Sequence, residues 1–307
     1  MDLSRRDTLR VFGATAAGAF LGASGSAGAD AGASPGPMLR AIPSSGERIP
    51  AIGLGTWSTF DVDSSPAARA PLQEVLARFV ERGGRVVDSS PMYGRAEEVV
   101  GAIVAKQGLA GRLFLATKVW TRGREAGVRQ MEASERLLGT KRLDLLQVHN
   151  LLDVETHLAT LRAWKDAGRV RYIGVTHYTA SAYPDVERVL LKEKLDFLQV
   201  NYSLAEREAE RRILPLAREK GVAVLVNRPF GGGEALKRVL GRPLPAWAAE
   251  FDCASWPQFF LKWILADPAV TCAIPATRQR AHLDEDLDAA FGRLPDAELR
   301  SRMAGAI

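Results

Sequence analysis

From residue 39 onward, apolar positions in this chain follow two alternating periods. Leu72, Val75, Leu76, Phe79 and Val80 recur at i, i+3, i+4, i+7 and i+8, the spacing that lays one apolar stripe along a helix. Gly83-Gly84 closes that helix, because glycine accepts the left-handed backbone of a helix exit. Other stretches are short and apolar at successive positions, as in Val222-Ala223-Val224-Leu225-Val226. A strand of that kind is buried on both faces, as in a parallel sheet. Strands are expected at residues 51–56, 85–89, 113–119, 143–149, 172–176, 197–201, 222–227 and 270–275. Helical stretches lie between them, for example 155–167, where Leu158, Leu161 and Trp164 share one side before Gly168. Ahead of the first strand, two short extended segments flank Ser44-Ser45-Gly46-Glu47 and predict a β-hairpin.

Successive strand ends are about 25 to 33 residues apart, except at the longer last step, and eight such units make a (β/α)8 TIM barrel. An open doubly wound sheet shares the rhythm, but it carries a G-x-G-x-x-G after its first strand. None follows residues 51–56. The expected fold is therefore an α/β TIM barrel with an N-terminal β-hairpin, spanning residues 38–307.

The first thirty residues follow neither period. Ser4-Arg5-Arg6-Asp7-Thr8-Leu9 precedes an Ala/Gly-rich, weakly apolar stretch that runs to Phe20 and Leu21, and Ala27-Gly28-Ala29 offers a small-residue cleavage site. Together these read as a twin-arginine signal peptide over residues 1–29, which implies export to the periplasm. Residues 30–37, rich in Ala, Gly and Pro, are expected to be a flexible linker. The apolar part of the signal is too short and too rich in Gly and Ser to span a bilayer, and no membrane span is expected in the mature chain.

Charge narrows the field only slightly. The net value is +5, and +4 without residues 1–29, which hold three Arg and two Asp. No basic run is interleaved with aromatics, so a nucleic-acid partner is not expected. The two cysteines and four histidines lack metal-ligand spacing, and no metal site is expected. Cys272 lies in the apolar run Ala269-Val270-Thr271-Cys272-Ala273-Ile274, which favours buried free thiols over a Cys253–Cys272 disulfide.

Functional groups of such barrels sit at the carboxyl ends of the strands. The second strand ends in Asp88, with Tyr93 in the loop beyond it; the third ends in Lys118 and the fourth in His149. Any one alone reads as a helix cap, a solvated side chain or a structural histidine. Four on adjacent strands form a coherent chemical set. A free phenol titrates near ~10, too high for efficient proton delivery at neutral pH. A nearby ammonium lowers that value, a role for Lys118, and Asp88 would keep Lys118 charged and in place. His149 would hydrogen-bond a substrate carbonyl or relay a proton.

These blocks resemble the aldo-keto reductases. The similarity rests on Asp88-Ser89-Ser90-Pro91-Met92-Tyr93-Gly94, Ala116-Thr117-Lys118 and Leu143-Asp144-Leu145-Leu146-Gln147-Val148-His149, and it extends over residues 39–295. The resemblance implies a nicotinamide-dependent carbonyl reductase with Asp88, Tyr93, Lys118 and His149 as its catalytic tetrad. Gly55-Thr56-Trp57 resembles the strand end that borders the cofactor. Thr176-His177 and Gln199 stand where the family holds the nicotinamide carboxamide, His177 replacing the usual Asn. Asn227-Arg228-Pro229 stands where an aromatic normally stacks on the nicotinamide ring; Asn227 cannot do so, whereas the planar guanidinium of Arg228 can cover the ring.

Near the end, Thr277, Arg278, His282, Glu285 and Asp286 resemble the segment that holds the adenosine 2′-phosphate and adenine. Thr277 and Arg278 can donate to a phosphate, which favours NADP over NAD. His282 stands in place of a frequent Arg and Asp286 in place of the usual Asn; a carboxylate near a phosphate is unfavourable, so NAD stays open. The short connection from His149 to the helix near Glu155, and the short tail, imply an open cleft for a small-molecule carbonyl substrate. A nucleotide-binding regulatory protein with little turnover is the alternative on the same barrel. A monomer is expected.

Overall fold

The computed structural model describes residues 36–307, so the expected signal peptide and nearly all of the expected linker lie outside the described residues. Two antiparallel strands open it, β1 (Leu39–Ala41) and β2 (Arg48–Pro50), joined through the predicted turn. Strand and helix then alternate: β3 (Leu54–Gly55), α1 (Pro66–Glu81), β4 (Val86–Asp88), α2 (Ala96–Gln107), β5 (Phe114–Val119), α3 (Arg124–Leu138), β6 (Leu143–His149) and α4 (Val154–Asp166). The second half continues with β7 (Val170–Thr176), α5 (Tyr183–Lys192), β8 (Phe197–Asn201), α6 (Ile213–Glu219), β9 (Ala223–Asn227), α7 (Glu234–Val239), α8 (Trp256–Leu265), β10 (Val270–Ala273), α9 (Arg280–Asp288) and α10 (Ala297–Ala304).

Strands β3 to β10 form one eight-stranded sheet in sequence order, every neighbouring pair parallel. The sheet closes on itself. Ile52 bridges Ala273 and Gly55 bridges Ala276, both in parallel sense. The Gly53 N–H donates to the Ala273 carbonyl at 2.8 Å, and the Ala273 N–H donates to the Ala51 carbonyl at 2.9 Å. The fold is the TIM barrel that the strand rhythm implied, with the N-terminal hairpin that the Ser44–Glu47 turn implied. Only Leu54–Gly55 of the expected 51–56 strand is regular, because the seam is tight: a Cβ on Gly53 would sit 2.9 Å from the Val86 oxygen, and one on Gly55 2.9 Å from the Ile274 oxygen.

The helices start and stop where local chemistry directs. The Ser65 hydroxyl accepts from the Ala68 N–H at the start of α1 with Pro66 at its first position, and Ser255 caps α8 in the same way. Gly108 and Gly139 end α2 and α3 with φ of +64° and +69°. The barrel interior holds Val86, Phe114, Leu145, Phe197, Leu225 and Cys272 beneath Ile42 and Ile49 of the hairpin, which plugs the amino-terminal end. Tyr172 Oη pins the plug, 2.7 Å from Ser45 Oγ and 2.8 Å from Glu47. Cys253 and Cys272 are both buried and free, as expected. With one mouth plugged, the carboxyl-terminal rim is left for chemistry.

Candidate active site

Five consecutive strands, β4 to β8, deliver the polar groups. Asp88 ends β4 and Lys118 lies one residue from the end of β5, both nearly inaccessible to solvent. Lys118 Nζ donates to Asp88 Oδ2 at 2.7 Å and to the Ser89 carbonyl at 2.7 Å. The other carboxylate oxygen, Oδ1, accepts from Gln199 Nε2 at 2.9 Å and Gln147 Nε2 at 3.4 Å. Buried ions are tolerated only when their remaining lone pairs and protons are satisfied, and the two amides do this for Asp88. Burial works against the Lys118 ammonium, but Asp88 and Tyr93 outweigh it, so its pKa lies above the ordinary lysine value and the charge is retained.

Tyr93 follows β4 in a turn closed by its N–H on the Ser90 carbonyl at 3.0 Å. Gly94 takes a φ of +59° beside the Asp61 carboxylate, which accepts the Arg95 N–H at 3.0 Å; a side chain at 94 would collide with it. Lys118 Nζ lies 4.9 Å from the Tyr93 ring centroid, and the His149 ring meets Tyr93 edge-on at 5.9 Å. The sequence implied a phenol pulled down by Lys118. The net direction is upward instead: burial is the largest influence, Lys118 pulls the other way, and Asp88 adds to the rise. Tyr93 therefore keeps its phenolic proton at physiological pH.

His149 ends β6, its Nδ1 3.1 Å from Ser90 Oγ. Burial, then the charge of Lys118, then His177 push its pKa down to about 2. The ring is neutral near pH 7, with one nitrogen as donor and the other as acceptor. The folded pKa lies below the unfolded value near ~6.5, so protons bind preferentially to the unfolded chain between those values. Stability from this group is therefore full above that pH and falls by about 1.4 kcal/mol per unit as pH drops below it. A His149→Gln variant should lose less stability than wild type between pH 6.5 and 4 in urea titrations; parallel losses would contradict the neutral assignment.

The expected cofactor contacts are dispersed around the same rim. Gly55 is buried at the seam, and Thr56 Oγ1 lies 3.0 Å from both the Asp88 carbonyl and Ser89 Oγ. Trp57, Met92, Trp120 and Tyr178, on four different loops, are exposed large side chains. Thr176 Oγ1 donates to Gln199 Oε1 at 3.0 Å, so both ends of the Gln199 amide are engaged inside the protein. His177 stacks on Tyr178, and its Nδ1 accepts the Tyr178 N–H at 3.0 Å. Asn227 Nδ2 donates to the His177 carbonyl at 3.3 Å, while Asn227 Oδ1 and Arg228 Nε are buried without partners among the described residues. Arg228 adopts a φ of +50° and pairs with Glu206 at 3.4 Å, followed by the buried Pro229.

Thr277 is buried and accepts the Gln279 N–H at 3.1 Å, just ahead of α9. Arg278 and His282 are exposed, and Arg278 makes no ion pair or side-chain hydrogen bond among the described residues. Glu285 is half-buried and Asp286 buried; burial, then Glu285, push the Asp286 carboxyl above its ordinary value. That direction weakens the electrostatic objection to a nearby phosphate.

Two contributors received no role from sequence. Gln147 was readable: two positions before His149 on β6, it shares the inward face of an otherwise apolar strand. Ser90 gave no such signal. Among the described residues no helix is long and apolar enough to cross a membrane, and no cluster of His, Cys, Asp and Glu could hold a metal.

The family model for the Aldo/keto reductase family matches residues 51–302. Methylglyoxal reductase YeaE of Escherichia coli (strain K12) is 28% identical over 258 residues, 82% of this chain and 89% of that protein. Aldo-keto reductase YhdN of Bacillus subtilis (strain 168) is 29% identical over 190 residues, 57% of this chain, and the match spans only 56% of that protein's own length. Among solved structures, an aldo/keto reductase from Klebsiella pneumoniae in complex with NADP and acetate superposes with a TM-score of 0.74 at 25% identity, covering 88% of this chain and 94% of that one.

Proposed function

This chain belongs to the aldo/keto reductase family, and on that premise we propose that it reduces an aldehyde or ketone with NADPH, Tyr93 acting as general acid. The observation that carries the reading is the convergence of Tyr93, Lys118 and His149 around one point, with Asp88 behind Lys118. When bound, the cofactor supplies a hydride to the carbonyl carbon. His149 donates a hydrogen bond to the carbonyl oxygen, and Tyr93 delivers a proton to that oxygen as negative charge builds on it. Lys118 is a buried positive charge against the phenol ring, favouring the phenolate left behind; Asp88 holds it there. The exposed Trp57, Met92, Trp120 and Tyr178 suit a carbonyl compound with an apolar body.

The residues present fit a phosphorylated dinucleotide. Arg278 is an exposed cation, unpaired among the described residues, just before the start of α9, where helix N–H groups favour an anion. Thr277, His282, Glu285 and Asp286 would complete the adenosine end. Asn227 Oδ1 and Arg228 Nε are polar atoms unsatisfied among the described residues at the other end, where they, with Gly55, Thr56, Trp57, Thr176, His177, Gln199 and Pro229, would line the nicotinamide pocket. Arg278→Ala is expected to weaken NADPH binding on the order of tenfold or more and NADH binding far less, because a charge-assisted bond to the 2′-phosphate is lost. Fluorescence titration reads both constants; equal losses would remove Arg278 from phosphate recognition.

Export is part of the proposal. The Arg5-Arg6 pair and the Ala27-Gly28-Ala29 exit support a twin-arginine route, by which a folded protein leaves with its nucleotide already bound. Replacing Arg5 and Arg6 by Lys should keep the uncleaved chain in the cytoplasm on cell fractionation; a periplasmic, cleaved product would refute it.

A further inference from the structure

We infer that Ser90 is a positioning residue that sets the tautomer of His149, holding the single imidazole proton on Nε2, the edge offered to the substrate carbonyl. The carbonyl part rests on the reductase reading above; the tautomer stands on hydrogen-bond geometry alone. Ser90 is completely buried between β4 and the Tyr93 turn. Its Oγ lies 3.1 Å from His149 Nδ1 and accepts the Met92 backbone N–H at 3.4 Å. A backbone N–H can only donate, so the hydroxyl oxygen is already an acceptor and its one proton must find a partner.

His149 Nδ1 is the acceptor within reach. If Nδ1 carried the proton, it would donate to Ser90 Oγ, and the Ser90 hydroxyl would be left as an unsatisfied buried donor, an arrangement that folded proteins avoid. The Ser90 O–H therefore donates to Nδ1, and the imidazole proton resides on Nε2. That nitrogen bonds to no protein atom among the described residues, which leaves it for a ligand. The neutrality of the ring, imposed by burial and by Lys118, means that there is one proton to place rather than two. The Ser90 carbonyl also accepts the Tyr93 N–H at 3.0 Å, so one residue holds both groups meant for the carbonyl oxygen.

Nitrogen NMR of the full-length chain labelled at histidine reads the tautomer directly, without cofactor or substrate. His157, whose Nε2 lies 2.7 Å from the Thr121 carbonyl, provides an internal Nε2–H reference, and the spectrum of His149→Gln assigns the signal. Wild-type His149 should be protonated at Nε2. Ser90→Ala should give a mixture of tautomers and lower kcat on the order of tenfold, the cost of a misplaced proton donor, with KM for NADPH unchanged. Ser90→Thr, which keeps the hydroxyl, should restore the Nε2–H form. A wild-type proton on Nδ1, or a tautomer indifferent to Ser90→Ala, would overturn the inference. A tautomer that responds to Ser90→Ala in a protein with no carbonyl turnover would instead count against the reductase reading and leave Ser90 in place.

Discussion

Replacing Tyr93 by Phe is expected to lower kcat for carbonyl reduction by about 10²- to 10⁴-fold, the usual contribution of a positioned general acid. The substitution removes one oxygen from a ring held by its surroundings: the Ser90 carbonyl keeps the backbone turn, and His149 and Lys118 still pack against the ring. KM and the affinity for NADPH should therefore change little, since the lost interaction belongs to the transition state. Burial raises the Tyr93 phenol, so the wild-type reduction rate should hold as pH rises and fall only when the phenol ionises. Steady-state kinetics across pH test both points. A Tyr93→Phe variant with near wild-type kcat would place the proton donor elsewhere.

Lys118→Met carries the largest expected effect on stability, a loss of about 3–5 kcal/mol, because it leaves the Asp88 carboxylate buried without its counter-ion. Gln147 and Gln199 would still donate to Asp88 Oδ1, but neutral amides do not replace the charge on Oδ2. The double variant Asp88→Asn, Lys118→Met should recover much of the loss, since the amide oxygen of Asn can keep both glutamine contacts without a net charge. Urea unfolding of the three proteins gives the comparison. A single variant as stable as wild type would mean that water reaches Asp88 when Lys118 is removed.

How far the residues alone carried the reading follows from what each kind of signal encodes. The barrel was readable because burial on both faces marks a parallel strand and a helical stripe marks its crossover; the apolar runs at 143–149 and 197–201 match β6 and β8 residue for residue. At β3 the match is looser, because Gly53 and Gly55 serve the closing seam, a contact with β10 that lies far away in sequence.

The site shows the same division. Asp88, Tyr93, Lys118 and His149 could be placed on one rim because strand ends fix position. What each does to its neighbours depends on burial, which outweighs the pull of Lys118 on Tyr93 and lifts the Asp286 carboxyl above its ordinary value. The partners of Gln199 could not be read either: its amide reaches across the barrel to Asp88, 111 residues away. Long-range polar contacts of this kind leave no local periodicity.

The most direct test of the proposed chemistry follows the hydride itself. The full-length protein is incubated with an aromatic aldehyde and NADPH deuterated at the transferable position, and the alcohol is examined by mass spectrometry. An alcohol carrying one deuterium on the carbinol carbon, formed by wild type and lost with Tyr93→Phe, is the expected result. Tight NADPH binding with no deuterated alcohol from any of a panel of aldehydes and ketones would contradict the reductase and leave a nucleotide-binding protein on the same barrel.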